Sequence, residues 1–143
     1  MQKKFLSIDY GEKFVGIATF YEGCDPYPLK WGKIANKGET QLFKELKALF
    51  LQEEITDVIC GIPYFTDGKA SKNTLKIKKF FSHLQIYCGD QLKYYEQDET
   101  LTSNEAKDRM LNSPEFNFKI DINQIDALSA QIILEDFLRI PKF

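Results

Sequence analysis

The run Asp57-Val58-Ile59-Cys60-Gly61-Ile62 constrains the fold of this chain more than any other segment. It is apolar without alternation and too short for a helix, so it reads as a central parallel strand covered on both faces. The flanking periodicities supply that cover. Between Glu39 and Glu53, Leu42, Phe43, Leu46, Leu49 and Phe50 recur at three- and four-residue steps, one face of an amphipathic helix. Beyond a loop over Pro63 to Gly68, the pattern Leu75, Ile77, Phe80, Phe81 and Leu84 predicts a second helix.

The first third of the chain is strand-like. Lys4 to Ile8 reads as a buried strand stopped by Asp9 and the turn-former Gly11, and Val15 to Phe20 as its hairpin partner. Leu29 to Ala35 is a third strand, entered through the loop carrying Pro26 and Pro28. Further on, Ile86 to Cys88 and Leu92 to Gln97 read as short extended segments, the second carrying the next parallel strand. Thr102 with Glu105 has the form of a capping box and predicts a helix to about Leu111. Asn112 to Lys119 is a loop, and Asp121 with Gln124 caps a last helix running up to Pro141. Strands first, then strand and helix in alternation, give an α/β sheet with helices on its faces.

At 143 residues and 43% hydrophobic content the chain is expected to form one domain over residues 1–143 around a single core. Its 19 Lys and Arg against 21 Asp and Glu leave a formal charge of -2, so no whole-molecule field attracts a polyanion. A nucleic-acid partner would need local basic clusters or bound divalent cations. Cys24, Cys60 and Cys88 are odd in number and match no metal-ligand spacing, so they are read as reduced thiols, with Cys60 in the core. No apolar stretch approaches the ~20 residues that span a membrane, and the N-terminus has no cleavage signal. A cytoplasmic protein without membrane contact is expected.

Three acids stand beside segments that should be buried: Asp9 closing the first strand, Glu99 just past the strand Leu92 to Gln97, and Asp126 in the first turn of the last helix. Asp126 shares a helical stripe with Ala130, Ile133 and Phe137, so it leans toward packed structure. Small neighbours Ala127, Ser129 and Ala130 would let that helix approach a sheet closely. Carboxylates gathered at strand ends repel unless a cation is bound, and a magnesium pair about 4 Å apart resolves the conflict while serving phosphodiester hydrolysis. Oxygen ligands without a His or Cys cluster suit Mg2+ or Mn2+. Taken singly, each acid has an ordinary reading as a turn or helix-dipole residue.

Read together, the motifs resemble those of the YqgF/RuvX family, described as pre-16S rRNA nucleases and as Holliday-junction resolvase-like. Asp9-Tyr10-Gly11-Glu12-Lys13 with Gly16-Ile17-Ala18 resembles the family's Asp-Tyr-Gly-x-Lys-Arg-x-Gly opening. Gly61-Ile62-Pro63 with Asp67-Gly68 resembles its Gly-Leu-Pro loop. Asp98-Glu99-Thr100-Leu101-Thr102-Ser103 is similar to Asp-Glu-Arg-Leu-Thr-Ser, and Asp126-Ala127-Leu128-Ser129-Ala130 to the closing block. The resemblance spans nearly the whole chain and implies a ribonuclease-H-like fold, a mixed five-stranded sheet with helices on both faces. It also implies Asp9, Glu99 and Asp126 as catalytic, metal-binding acids, with Gly11, Lys13, Pro63, Gly68 and Asp98 around the substrate.

Two positions depart from the pattern: Phe14 and Thr100 stand where the family has arginines, and neither offers the bidentate grip that arginine gives a phosphate. Lys13 can still reach phosphate. Lys69, Lys72, Lys76, Lys78 and Lys79 read equally well as a basic rim or as a solvated helix face. His83, the single histidine, has no partner motif and is given no catalytic role.

The function expected is metal-dependent hydrolysis of phosphodiesters in 5′-end processing of pre-16S rRNA, by a monomer or homodimer. Branched DNA is the alternative substrate, and a non-catalytic RNA- or ribosome-binding module the alternative of another class. A sugar kinase or ATPase of the actin-like kind would need a second domain to close over the nucleotide.

Overall fold

Strand β1 (Lys4–Asp9) lies at the middle of a five-stranded sheet. The computed structural model describes residues 2–100 and 102–139. β1 pairs antiparallel with β2 (Phe14–Tyr21), which pairs antiparallel with β3 (Leu29–Ala35). On its other side β1 runs parallel to β4 (Asp57–Ile62), and β4 parallel to β5 (Lys93–Asp98). All six residues of β4 are buried, as a continuous apolar run requires of a strand covered on both faces.

Alternation sorts the side chains onto two layers. Leu6, Ile8, Val15, Ile17, Val58, Cys60 and Ile62 meet helices α1 (Glu39–Gln52) and α2 (Lys72–Cys88) in the larger core. The opposite parity, Phe5, Ala18 and Ile59, meets α4 (Ile122–Arg139) through Ala130, Ile133 and Leu134. Helix α3 (Thr102–Leu111) packs behind α4 through Ala106 and Met110, which meet Leu128 and Ile132. Arg109 forks onto Glu135 at 2.9 and 3.2 Å and ties the two helices together.

Three expectations change. Ile86 to Cys88 is not extended: α2 runs through it to Cys88 and stops at Gly89, whose φ of 85° an L side chain resists. Apolar residues spaced for a strand were the last turn of a helix, because Phe81 and Leu84 already hold its inner face in the core. The loop Asn112 to Lys119 contains a single 3-10 turn, Pro114–Phe116, which buries Phe116 against Met110 and Ile132. Asp121 does cap α4, accepting from the Asn123 N–H at 3.0 Å, but Gln124 answers with its side-chain amide to the Asp121 carboxylate at 2.8 Å rather than to backbone. The predicted continuation of α4 to Pro141 and the Thr102 cap lie outside the described residues and side chains.

The helix starts that matter for function are tied down by side chains. Ser71 caps α2: its Oγ accepts from the Thr74 N–H at 3.0 Å, and Thr74 Oγ1 accepts from the Ser71 N–H at 2.8 Å. The buried Thr74 hydroxyl also donates to the Pro63 carbonyl, anchoring the chain just beyond β4 to the first turn of α2. Among the described residues, no helix is long and apolar enough to cross a membrane.

Candidate functional site

The parallel strands β1, β4 and β5 all end on one side of the sheet, and a cleft of about 430 Å³ opens there. It is lined by Asp9, Tyr10, Pro63, Tyr64, Asn73, Ile77, Glu99, Thr100, Asn104 and Asp126. Asp9 is the last residue of β1 and has the parity of Phe5 and Ser7, so its carboxylate faces the α4 layer. Glu99 follows β5, its backbone N–H donating to the Ile62 carbonyl at 3.0 Å and extending the β4–β5 pairing by one step. Asp126 sits in the second turn's approach to the sheet, five residues past the Asp121 cap.

Two glycines make this convergence possible. Gly16 pairs with Asp9 across the hairpin, and a Cβ there would lie 2.0 Å from the Asp126 carbonyl oxygen. The backbone of α4 therefore rests directly on β2 at the level of the site. Gly16 is thus where a second backbone comes close to the sheet. Gly61 does the same for Glu99: a Cβ at Gly61 would meet Ile133 Cδ1 at 2.4 Å and the Glu99 carboxyl carbon at 3.0 Å. Gly11 instead serves the turn, since a Cβ there would strike the Phe14 carbonyl, and its own carbonyl accepts from Asn36 Nδ2 at 2.9 Å.

Electrostatics set the three acids apart. Asp9 is pushed up to about 7, first by burial and then by the charge of Asp126, against the opposing effect of a hydrogen bond with Glu99. Glu99 is pushed up to about 9 by burial, by the charge of Asp9 and by that same hydrogen bond. Burial and close approach together hold this pair of carboxyls above the usual carboxylate range. Asp126 is raised by burial and drawn back by Lys33. Lys33 lies opposite Gly16 in the β2–β3 pairing, with its Nζ 4.0 Å from the centre of the Phe14 ring. A further buried acid, Asp57, accepts from Thr56 Oγ1 and the Tyr95 hydroxyl at the other end of β4 and takes no part in the cleft.

The remaining residues singled out in the sequence divide. Pro63 lines the cleft. Gly11, Lys13, Gly68 and Asp98 do not line it. Gly68, at φ 85°, closes an exposed turn with its N–H on the Phe65 carbonyl. Asp98 turns its carboxylate to the Thr100 N–H at 2.8 Å and hydroxyl at 2.6 Å, which bends the chain from β5 and aims Glu99 inward. Thr100 thus has a turn-forming role at the position where the family pattern has an arginine. Tyr64, Asn73 and Asn104 line the cleft and were not singled out; the Ser71–Thr74 capping box was the signal that would have placed Asn73 at a helix start.

In donor chemistry the site is all oxygen. Among the described residues, no three His, Cys, Asp or Glu side chains stand as a ready-made metal cage. Asp9 and Glu99 are in hydrogen-bonding contact, and Asp126 shares their cleft.

Comparison with known proteins gives concordant results. Residues 3–140 match the family described as RuvX, Holliday junction resolvase. A relative from Albidiferax ferrireducens, described as a candidate pre-16S rRNA nuclease, is 34% identical over 139 residues, covering 94% of this chain and 77% of its own. One from Flavobacterium johnsoniae with the same description is 32% identical over 142 residues, covering 98% and 99%. Among solved structures, T. thermophilus RuvC in complex with a Holliday junction substrate superposes with a TM-score of 0.60 at 10% identity, covering 96% of this chain and 95% of that one. Thermus thermophilus RuvC also superposes, with a TM-score of 0.57 at 10% identity over 95% of each chain. That likeness establishes the ribonuclease-H-like fold.

Proposed function

The chain belongs to the RuvX family of nucleases, and from that premise we propose that it hydrolyses phosphodiester bonds in the cleft of Asp9, Glu99 and Asp126, acting in the cytoplasm on the 5′ end of pre-16S rRNA. The observation that carries the reading is the meeting of three acids from the end of β1, the end of β5 and the start of α4 in one polar cleft, with buried Glu99 against half-buried Asp9. Two carboxyls held together in low dielectric weaken the fold at neutral pH unless a proton or a cation offsets the repulsion, which is a cost a purely structural role gives no return on.

Magnesium or manganese fits the donor set, which offers carboxylate oxygens and no nitrogen or sulfur. Asp9 and Glu99 would hold the ion, and Asp126 would face it from α4. Bound there, a divalent cation neutralises the acids and polarises a phosphoryl oxygen. Ligation needs ionised carboxylates and burial raises both Asp9 and Glu99, so affinity for the cation rises with pH. Asn73, Thr100 and Asn104 supply neutral hydrogen-bonding groups along the cleft, and Lys33 beside Asp126 supplies a positive charge that Phe14 cannot. The direct test is cleavage of a precursor RNA by the purified protein with magnesium, alongside Asp9→Asn. Equal cutting by both proteins would show that the site is wrong.

The family description as a junction resolvase favours branched DNA as the second substrate. Side-by-side cleavage of junction DNA and precursor RNA separates the two. A protein that binds RNA yet takes up no magnesium at millimolar concentration would instead be a non-catalytic module.

A further inference from the structure

The row of lysines on α2 is not a uniform solvated face. Lys78 turns to one side, its Nζ 3.3 Å from Glu96 Oε1 and 5.7 Å from the centre of the Tyr64 ring. Lys76, Lys79 and His83 turn to the other, where with Tyr10, Glu39 and Phe80 they line a second cavity of about 300 Å³. Tyr10 lines both cavities, its ring centre 4.3 Å from that of Phe80. Helix α2 is likewise shared: Asn73 and Ile77 line the first cleft, and Lys76, Lys79, Phe80 and His83 the second. Asn73 and His83 lie ten helical steps, about 15 Å, apart, so the two cavities line up as one track along α2 with Tyr10 bordering both.

Two carboxylates already occupy the cationic side of that track. Glu12, in the β1–β2 turn, reaches Lys76 Nζ at 2.6 Å, and Glu39, at the first turn of α1, lies 2.7 Å from His83 Nδ1. Lys79 has no acidic partner among the described residues, so the cavity keeps a lysine with unused donor capacity. A chain of net charge -2 has no general attraction for a polyanion, and with Glu12 and Glu39 offsetting the two lysines this cluster attracts one only as phosphate displaces the carboxylate on Lys76.

We propose that Lys76 and Lys79 form a phosphate-binding subsite for the nucleic-acid strand as it leaves the cleft over Tyr10, with Glu12 as a carboxylate that occupies this subsite until phosphate displaces it. The proposal rests on the nuclease reading and adds the path of the strand. The cavity accepts a single strand, whose phosphates lie along α2 while its sugars and bases cross the Tyr10 saddle; recognition is of backbone charge, so RNA and DNA strands are both bound.

The test is binding of single-stranded RNA and DNA 12-mers to the full chain in chelator, which prevents cutting, at a series of salt concentrations. Lys76→Gln with Lys79→Gln is expected to lower affinity about tenfold and to flatten the salt dependence by about 1.4 in log–log slope, about 0.7 for each lost phosphate contact on a single strand. Glu12→Gln is expected to raise affinity by releasing Lys76. The control pair Lys44→Gln with Lys93→Gln, on α1 and at the start of β5, removes the same charge away from the track and is expected to leave the slope unchanged. Equal effects of the two lysine pairs, or weaker binding by Glu12→Gln, overturn the subsite. Failure of the wild type to cleave either nucleic acid with magnesium refutes the nuclease reading instead.

Discussion

Replacing Gly16 by alanine adds one methyl group, and its predicted effect comes entirely from the tertiary structure. In an isolated strand the change would be favourable by roughly 0.5–1 kcal/mol, since glycine loses more backbone freedom on folding. Here the new Cβ would stand 2.0 Å from the Asp126 carbonyl oxygen and 2.4 Å from its carbonyl carbon. Carbon and carbonyl oxygen rest at about 3.3–3.6 Å, so the two backbones must separate by about 1.3 Å. Neither contact atom belongs to a flexible side chain, so the separation has to be taken up by α4, carrying Asp126 with it. Overpacking of this kind costs about 1–3 kcal/mol. Displacement of a site group by about 1 Å lowers turnover on the order of 10²-fold. The assay is cleavage of precursor RNA with magnesium at a temperature where circular dichroism shows both proteins folded, together with urea unfolding. A Gly16→Ala protein that is as stable as wild type and cuts within about threefold of it would refute the claim that β2 and α4 touch through this glycine.

Metal-free protein should lose stability as pH rises. Asp9 and Glu99 are raised from 3.8 and 4.5 to about 7 and about 9, so the fold favours their neutral forms; that contribution is complete below about pH 4 and is lost as pH climbs through 7 and 9. Thermal unfolding in chelator should show this decline, and Asp9→Asn should flatten it; a metal-free protein that grows more stable from pH 5 to 9 would contradict the buried pair. Magnesium should reverse the loss, adding about 2.7 kcal/mol at a hundredfold excess over its dissociation constant, with the larger gain at higher pH. Gly61→Ala should crowd the Glu99 carboxyl and weaken magnesium binding, read by isothermal titration, more than it weakens the fold. Ser7→Ala removes a buried 2.6 Å hydrogen bond from Ser7 Oγ to the Ala130 carbonyl, and should cost about 1 kcal/mol in urea unfolding without changing the site acids.

The strands and most helices were legible in the sequence because their signals are local. The unbroken apolar run of β4, the spacing of Leu42 to Phe50 and the Asp121 cap each report on a few neighbouring residues. The end of α2 was misread for the same reason: Ile86 to Cys88 has the composition of a strand, and only the packing of Phe81 and Leu84 on the sheet carries the helix onward. The three acids were likewise visible, each beside a segment that had to be buried.

What the sequence determined by itself was the kind of protein: an α/β chain with acids at strand ends and the motif order of its family. What tertiary structure decided was how those acids meet. Gly16 and Gly61 lie about 45 residues apart in a chain where neither has an unusual local pattern, yet each leaves the space that another element fills, α4 at one and Glu99 at the other. The split of the α2 lysines is of the same kind, since helical spacing places Lys76 and Lys79 on a stripe but only the β1–β2 turn and α1 set Glu12 and Glu39 against it. Close approach of backbones and pairing of charges across elements depend on distances between segments remote in sequence, and periodicity within a segment carries no information about those distances.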